Sequence, residues 1–208
     1  MFFRLFLAKR LGNFAPRCAK LRSMITHSLA RLIAGFFLPA GYDVKFYYGL
    51  TSFQMLQEAV YAVCDVLGHG QGNKAALLML ETAAQETRAG TFKDPTPYGA
   101  GRGVFQIDKI AFDDLCTRCP PRVYESIKQA FAIDIRKCQH NQVDSSPLLA
   151  AIFCRLFYYL IPAPIPQTVE ERADYWKKYY NTVAGKGTAA EYVANAAVIE
   201  RLEGGQLV

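Results

Sequence analysis

The chain has 208 residues, of which 51% are hydrophobic, 20% charged and 13% aromatic. This composition excludes a disordered, collagen-like or low-complexity protein, and the length is sufficient for one domain with a sizeable core. The formal net charge of +6 is unevenly placed, because residues 1–38 carry seven Arg and Lys and no acidic residue while the remainder is close to neutral. A near-neutral body argues against a nucleic-acid-binding domain.

Residues 1–41 form a basic, apolar extension. Apolar residues recur at spacings of three and four between Leu21 and Phe36, which predicts one amphipathic helix that ends near Pro39 and Gly41. A helix lying on a membrane or another anionic surface fits this pattern best. A targeting peptide, a membrane-spanning helix and a helix packed on the body or on a sister subunit are the alternatives.

The body, residues 42–208, is predicted to be mainly α-helical. The apolar stripe of the first helix begins after Ser52 and ends at Gly68. A second helix is expected to start at Asn73 as its N-cap and to stop at Gly90. Residues 90–103 contain four glycines and two prolines, which predicts a small irregular or hairpin region near 90–107, with a short extended piece at 104–107.

Helical pattern resumes near Asp108, again after Pro121, and again at Ser146-Pro147, where proline suits the first turn of a helix. The segment from Leu148 to Ile161 is apolar almost all round, which predicts a central buried helix. Two capping boxes are expected to open the last two helices, and a glycine pair ends the final one. These signals are Thr168-x-x-Glu171, Thr188-x-x-Glu191 and Gly204-Gly205.

The six cysteines are at positions 18, 64, 116, 119, 138 and 154. Cys64 and Cys154 lie on apolar helix faces, so buried free thiols are predicted rather than disulfides. The alternative is a zinc site formed by Cys116, Cys119, Cys138 and His140. That spacing matches no common zinc motif, so no metal and no other cofactor is predicted.

Glu86 is the candidate for catalysis. It is expected in the last turn of the second helix, directly before the glycine-rich stretch. The negative end of the helix dipole and apolar neighbours both disfavour the carboxylate and raise its pKa. A carboxylic acid that is still protonated near neutral pH can donate a proton to a leaving alkoxide. Glu81, five residues earlier, is predicted to lie on a different face of the helix.

The residues around Glu86 resemble the catalytic region of goose-type lysozymes and soluble lytic transglycosylases. Glu86-Thr87 resembles the Glu-Ser pair at a helix end in these families, with Thr in place of Ser. Gly103-Val104-Phe105-Gln106 resembles their Gly-Leu-Met-Gln block, 17 residues further on. The Thr87 hydroxyl can serve the backbone or the glutamate, and Thr87 is counted with the substrate-binding residues.

A third motif follows in the family's order. Tyr179-Tyr180-Asn181 resembles the Tyr-Asn motif, although Thr182-Val183 stands where Ala-Gly is usual. Gly187-Thr188 and Tyr192-Val193 resemble the segment that comes next in the goose-type branch. The resemblance covers residues 75–200 and does not reach residues 1–50.

The resemblance implies an all-α, lysozyme-like catalytic domain that cleaves the β-1,4 bond between N-acetylmuramic acid and N-acetylglucosamine in peptidoglycan. Glu86 would act as general acid and then as base. Gln106 and the backbone around Gly103 would line the sugar cleft, Tyr180 would hold the orientation of Glu86, and Asn181 would brace the cleft floor.

A second carboxylate decides between two chemistries. An inverting hydrolase needs a base that positions water, whereas a lytic transglycosylase uses the sugar's own 6-hydroxyl and leaves a 1,6-anhydro product. Asp108 is the candidate second catalytic residue, and an N-cap for the next helix is an equal interpretation; Asp94 lies in the loop. The Asp expected before the glycine-rich turn is absent, so transglycosylase chemistry is favoured over a hydrolytic lysozyme.

The basic extension without a clear signal peptide suits a bacteriophage protein, carried in the virion or made as an endolysin. The expected partners are peptidoglycan glycan strands, and a membrane surface or virion proteins through residues 1–41, but not nucleic acid. The expected location is the virion or the host cell envelope, in the periplasm or at the inner-membrane surface. A bacterial cell-wall enzyme with an unusual anchor, or a catalytically silent binding or scaffold module of the same fold, are the alternatives.

Overall fold

The computed structural model describes residues 44–95, 99, 101–181 and 185–204. The predicted extension, residues 1–41, and its amphipathic helix lie outside this part of the chain, as does Cys18. Within the described ranges, no helix combines the length and the apolar character needed to cross a membrane.

The body is mainly α-helical, as predicted, with one small hairpin. Its α-helices are α1 (Phe53–Leu67), α2 (Ala75–Thr87), α3 (Lys109–Arg118), α4 (Pro121–Phe131), α5 (Pro147–Tyr159), α6 (Val169–Trp176) and α7 (Ala189–Glu203). Between α2 and α3, the two-residue strands β1 (Gly101–Arg102) and β2 (Ile107–Asp108) pair antiparallel. Short 3₁₀ turns cover Gln71–Asn73 and His140–Asp144, and a π-helical turn, Lys177–Asn181, continues α6.

Helix α5 is the centre of the core, as its apolar sequence predicts. Ten of its residues are buried, and α1, α2 and α3 all pack against it. Helix α7 packs on both α2 and α6. Burial of apolar surface contributes about 25 cal/mol per Å², so α5 supplies much of the apolar surface that holds the other helices and the hairpin in place.

The predicted helix starts are confirmed at four positions. The hydroxyl of Ser52 accepts a hydrogen bond from Met55 N at the start of α1. Ser146 caps α5, with Pro147 in the first turn. Thr168 and Thr188 each form a complete capping box with the glutamate three residues later. Gly204 is the C-cap of α7.

The ends of α2 differ from the prediction. Asn73 belongs to the preceding 3₁₀ turn with φ of 56°, and the N-cap position is taken by Lys74 without a side-chain hydrogen bond. The helix ends at Thr87 rather than at Gly90, because Arg88 and Ala89 adopt left-handed conformations with φ of 49° and 54°. Glycine is the usual residue there, so the true end of the helix leaves no compositional signal.

A buried ion pair joins α2 to α6. Arg172 donates from Nε to Glu81 Oε2 at 2.7 Å and from NH2 to Oε1 at 2.6 Å, and both side chains are at most 7% exposed. The Tyr192 hydroxyl, on α7, donates to Glu81 Oε2 at 3.1 Å. Glu81 thus faces away from solvent and connects three helices, one turn before Glu86.

The described cysteines are all free, and the prediction of buried thiols at Cys64 and Cys154 is confirmed. In the described ranges, no group of three or more His, Cys, Asp or Glu side chains is placed to hold a metal ion. The members of the zinc alternative have other partners: the Cys116 thiol donates to Ile135 O, and His140 Nε2 lies 2.7 Å from Ile107 O.

Candidate active site

Glu86 lies in the last turn of α2, as predicted, and its side chain is half-buried. Burial raises the pKa of its carboxyl to about 7, and a hydrogen bond from Trp176 opposes part of that increase. Indole Nε1 of Trp176 donates to Glu86 Oε1 at 3.1 Å. The carboxyl is therefore divided between its acid and its ionised form near neutral pH, which suits a group that donates and then recovers a proton.

A cavity of about 350 Å³, which we call the Glu86 cavity, opens beside this carboxyl. Its lining residues are Glu86, Phe92, Asp94, Gly101, Gln106, Asp108, Tyr180 and Asn181. Five of the seven predicted site residues therefore meet there. A second cavity of about 640 Å³ adjoins it and shares the lining residues Asp94, Gly101 and Gln106.

Thr87 and Gly103, which were predicted to bind substrate, support the site from inside instead. Thr87 is 1% exposed; its hydroxyl donates to Val104 O at 2.7 Å and accepts from Gly90 N at 3.1 Å. Gly103 is buried with φ of 69°, and a Cβ there would lie 2.7 Å from Val143 O. Thr87 fastens the hairpin turn to the end of α2, whereas Gly103 lets the turn pass close to Val143 and Ala150. Neither residue is among those that line the Glu86 cavity, contrary to the prediction of sugar contacts.

We expect Thr87→Val to lower the free energy of unfolding by about 1–3 kcal/mol, because Val104 O and Gly90 N would lose a buried partner. Thr87→Ser, which keeps the hydroxyl, is the matched control and should cost less. Urea unfolding of both variants measures the difference. Equal losses would mean that the methyl group contributes as much as the hydroxyl, and would contradict the prediction.

The short extended piece predicted at 104–107 is instead a turn followed by β2. Gln106 lies in this turn between the two strands, and its backbone is left-handed, with φ of 51°. Side-chain Nε2 donates to Gly103 O at 2.9 Å and to the Tyr48 hydroxyl at 3.3 Å. The same Tyr48 hydroxyl accepts from Asp94 N at 3.0 Å, so Tyr48 ties the loop to the hairpin, a role that no sequence motif indicated.

The π-helical turn places Tyr180 and Asn181 at the cavity. The Tyr180 hydroxyl donates to Phe105 O at 2.6 Å, so the prediction that it orients Glu86 is wrong; Trp176 makes that contact. Asn181 Nδ2 donates to Gly187 O at 2.8 Å and braces the segment that follows. The sequence signal for Trp176 was available but weak: it is the chain's one tryptophan, four residues before Tyr180.

Asp108 lies at the rim of the Glu86 cavity. Its Oδ1 accepts a hydrogen bond from Ala111 N at 2.6 Å, at the start of α3, which confirms the N-cap interpretation. The side chain is exposed. Asp108 therefore caps α3 and also borders the Glu86 cavity.

Comparison of the chain with protein-family models, curated proteins and solved structures finds no match. The chemistry of the site is therefore argued from its own geometry: one proton-donating carboxyl with a fixed hydrogen-bond donor, a polar cavity beside it, and a hairpin that carries a strained glutamine into that cavity.

Proposed function

We propose that this protein cleaves peptidoglycan glycan strands at the β-1,4 bond between N-acetylmuramic acid and N-acetylglucosamine. The main observation behind this proposal is the half-buried Glu86 carboxyl, which has a pKa of about 7 and lies at the wall of an open cavity. The three motifs around it support a lysozyme-like fold related to soluble lytic transglycosylases and goose-type lysozymes.

The chemistry follows from a single carboxyl that changes role. In the acid form, Glu86 donates its proton to the glycosidic oxygen as the bond from that oxygen to the muramic-acid C1 breaks. The resulting carboxylate then takes the proton of the 6-hydroxyl as that oxygen bonds to C1. The products are a new 4-hydroxyl end and a 1,6-anhydromuramic end, and Glu86 is again protonated.

The two adjoining cavities suit an extended polymer rather than a compact ligand. The second one continues away from Glu86 along Tyr47, Tyr48 and Arg102. Aromatic faces and hydrogen-bonding groups side by side fit the apolar faces and hydroxyl rims of sugar rings. A glycan strand lying along both cavities would place one of its bonds next to Glu86.

Digestion of purified peptidoglycan, followed by mass spectrometry of the soluble fragments, tests the proposal. We expect muropeptides that end in 1,6-anhydromuramic acid. Reducing muramic ends would assign the hydrolytic chemistry instead. Release of no fragment from peptidoglycan of several chemotypes, by a protein shown to be folded, would overturn the proposed function.

Asp108→Asn separates the two chemistries. Asparagine is as good an N-cap as aspartate, so α3 should be retained, and a transglycosylase that uses only Glu86 should keep its rate within about threefold. A hydrolase that uses Asp108 as its base should lose about 10²-fold or more. The rate of muropeptide release measures the difference, and a large loss would contradict the favoured chemistry.

The proposed setting is a virion or the host cell envelope. Residues 1–41 would then contact a membrane surface or neighbouring virion proteins through their basic, acid-free sequence. Such an attachment would keep the catalytic body close to the cell wall, where the glycan strands are.

A further inference from the structure

Trp176 is held rigidly against Glu86. It is 1% exposed, and its ring lies 5.2 Å, centroid to centroid, from that of Tyr192. On another side, a Cβ added to Gly187 would lie 2.7 Å from Trp176 Cη2, so the backbone lies directly against the ring. With so little space, the direction of the indole N–H is fixed by packing.

The two oxygens of Glu86 have different surroundings. Oε1 accepts from the indole at 3.1 Å. In the described part of the chain, the one buried side-chain nitrogen or oxygen without a partner is Arg201 Nε, so Oε2 of Glu86 is not a buried unpaired atom. Glu86 lines the cavity and its Oε1 is engaged by the indole, which leaves Oε2 as the oxygen free to face the cavity.

We propose that Trp176 is a positioning residue, whose indole N–H fixes the acidic proton of Glu86 on Oε2, the oxygen that faces the cavity. An indole nitrogen can donate but cannot accept. Oε1 is therefore the acceptor in both protonation states, and it accepts best as the carbonyl oxygen of the acid, because a carboxyl O–H oxygen is a weaker acceptor than a carbonyl oxygen. This inference rests on the proposed function, because it says how that function's acid is aimed.

The helices that carry the two residues are fixed to each other one turn earlier. Glu81, five residues before Glu86, is paired with Arg172, four residues before Trp176. The ion pair and the indole contact thus join the same two helices at successive turns. The ion pair resists small movements of α6 along α2. Any such movement would change the distance between Trp176 and the Glu86 carboxyl.

The indole hydrogen bond also favours the ionised form of Glu86, because it is stronger to a carboxylate than to a carboxylic acid. The other titratable side chains that face Glu86 are Asp94, Asp108, Tyr180 and Cys154. All four are acids, so none of them supplies a positive charge that would favour the Glu86 carboxylate. None of them replaces the indole N–H.

Trp176→Phe should therefore move the alkaline limb of the pH–rate profile upward by about one pH unit. We expect kcat to fall about tenfold at the optimum while KM changes less than twofold, because Glu86 keeps its place but loses the group that aims its proton. Tyr192→Phe is the matched control. It touches the same ring and removes a buried hydroxyl, but it should leave the pH profile unchanged.

A second measurement needs neither substrate nor a core variant. Trp176 is the chain's one tryptophan, so its indole N–H gives one nitrogen–proton NMR signal. In the wild type this signal should titrate with a midpoint near 7, the pKa of Glu86, and the titration should disappear in Glu86→Gln.

The experiments distinguish failure of the proposed function from failure of the role proposed for Trp176. If the wild type releases no muropeptide but its indole signal titrates as expected, the proposed function is wrong and the placement of the proton stands. A signal that does not titrate, or one that titrates equally in Glu86→Gln, would overturn the role of Trp176 whatever the activity. The same conclusion would follow if Trp176→Phe kept the wild-type pH profile.

Discussion

Glu86→Gln is expected to lower the rate of peptidoglycan cleavage by about 10³-fold or more. Proton transfer by a positioned side chain contributes typically 10²–10⁴-fold, and a residue that serves first as acid and then as base removes both contributions when it is lost. Glutamine keeps an oxygen that can accept from Trp176, so the shape of the site should be retained. The release of soluble muropeptides at saturating substrate measures the loss.

The control for this variant is Glu58→Gln on α1. Glu58 is exposed and accepts a hydrogen bond from Gln54, four residues away. It loses the same charge without touching the cavity, so we expect a rate within twofold of the wild type. If Glu86→Gln were as active as Glu58→Gln, the catalytic assignment would fail.

Glu86→Gln should also raise the free energy of unfolding at neutral and alkaline pH. The pKa of Glu86 is about 7 in the folded state, against an ordinary value of 4.5. Below about pH 4.5 the group is protonated in both states and contributes nothing. Between about 4.5 and 7 the unfolded chain ionises while the folded one keeps its proton, so the wild type loses stability as the pH rises.

Urea unfolding at pH 4 and pH 8 measures this effect. Relative to the wild type, Glu86→Gln should gain up to about 3 kcal/mol between these two pH values. A gain that is equal at both would mean that Glu86 is not held in its acid form by burial. A substitution that lowers activity and raises stability is what we expect for a catalytic group that the fold keeps in an unfavourable environment.

The position of Glu86 could be predicted because it depends on local signals. The periodicity of α2 places it in the last turn, and the glycine-rich stretch after it excludes further helix. Its partner could not be predicted in the same way, because Trp176 is 90 residues away in the chain. The contact depends on how α6 lies against α2, which no local pattern records.

The ion pair of Glu81 with Arg172 could not be predicted from local sequence either. The helical period places it on a different face from Glu86, and that is the face where α6 and α7 pack. Whether that face meets solvent or protein is a tertiary property, so the ion pair with Arg172 had no local signal. A polar residue inside an apolar helix is then as informative as a motif, since a buried charge requires a partner.

Residues that the motifs single out meet at one cavity, but not all of them face it. Thr87 and Gly103 belong to the motifs, yet both are buried, so they shape the hairpin rather than touch a ligand. Gln106 and Asn181 do line the cavity. A motif does not distinguish residues that support a cavity from residues that line it, because that difference depends on tertiary packing.

Arg172→Met should cost about 3–5 kcal/mol of unfolding free energy, because it leaves the carboxylate of Glu81 buried with the Tyr192 hydroxyl as its one remaining side-chain partner. Glu81→Leu should cost a similar amount because it leaves the guanidinium buried without a counter-charge, although Arg172 NH1 still donates to Gln167 O. The double variant should cost clearly less than the sum, since two apolar side chains of similar volume can pack where the ions were. Urea unfolding of the three variants gives the coupling, and additive losses would contradict it.

Arg118→Met provides the surface comparison, because Arg118 pairs with Asp114 in an exposed position on α3. Exposed pairs contribute at most about 1 kcal/mol, so this variant should stay near the wild type in both stability and activity. Arg172→Met should differ in activity as well, even at temperatures where it is still folded. The lost ion pair frees α6 to move against α2, and the contact that would change first is the one between Trp176 and Glu86, one turn further along both helices.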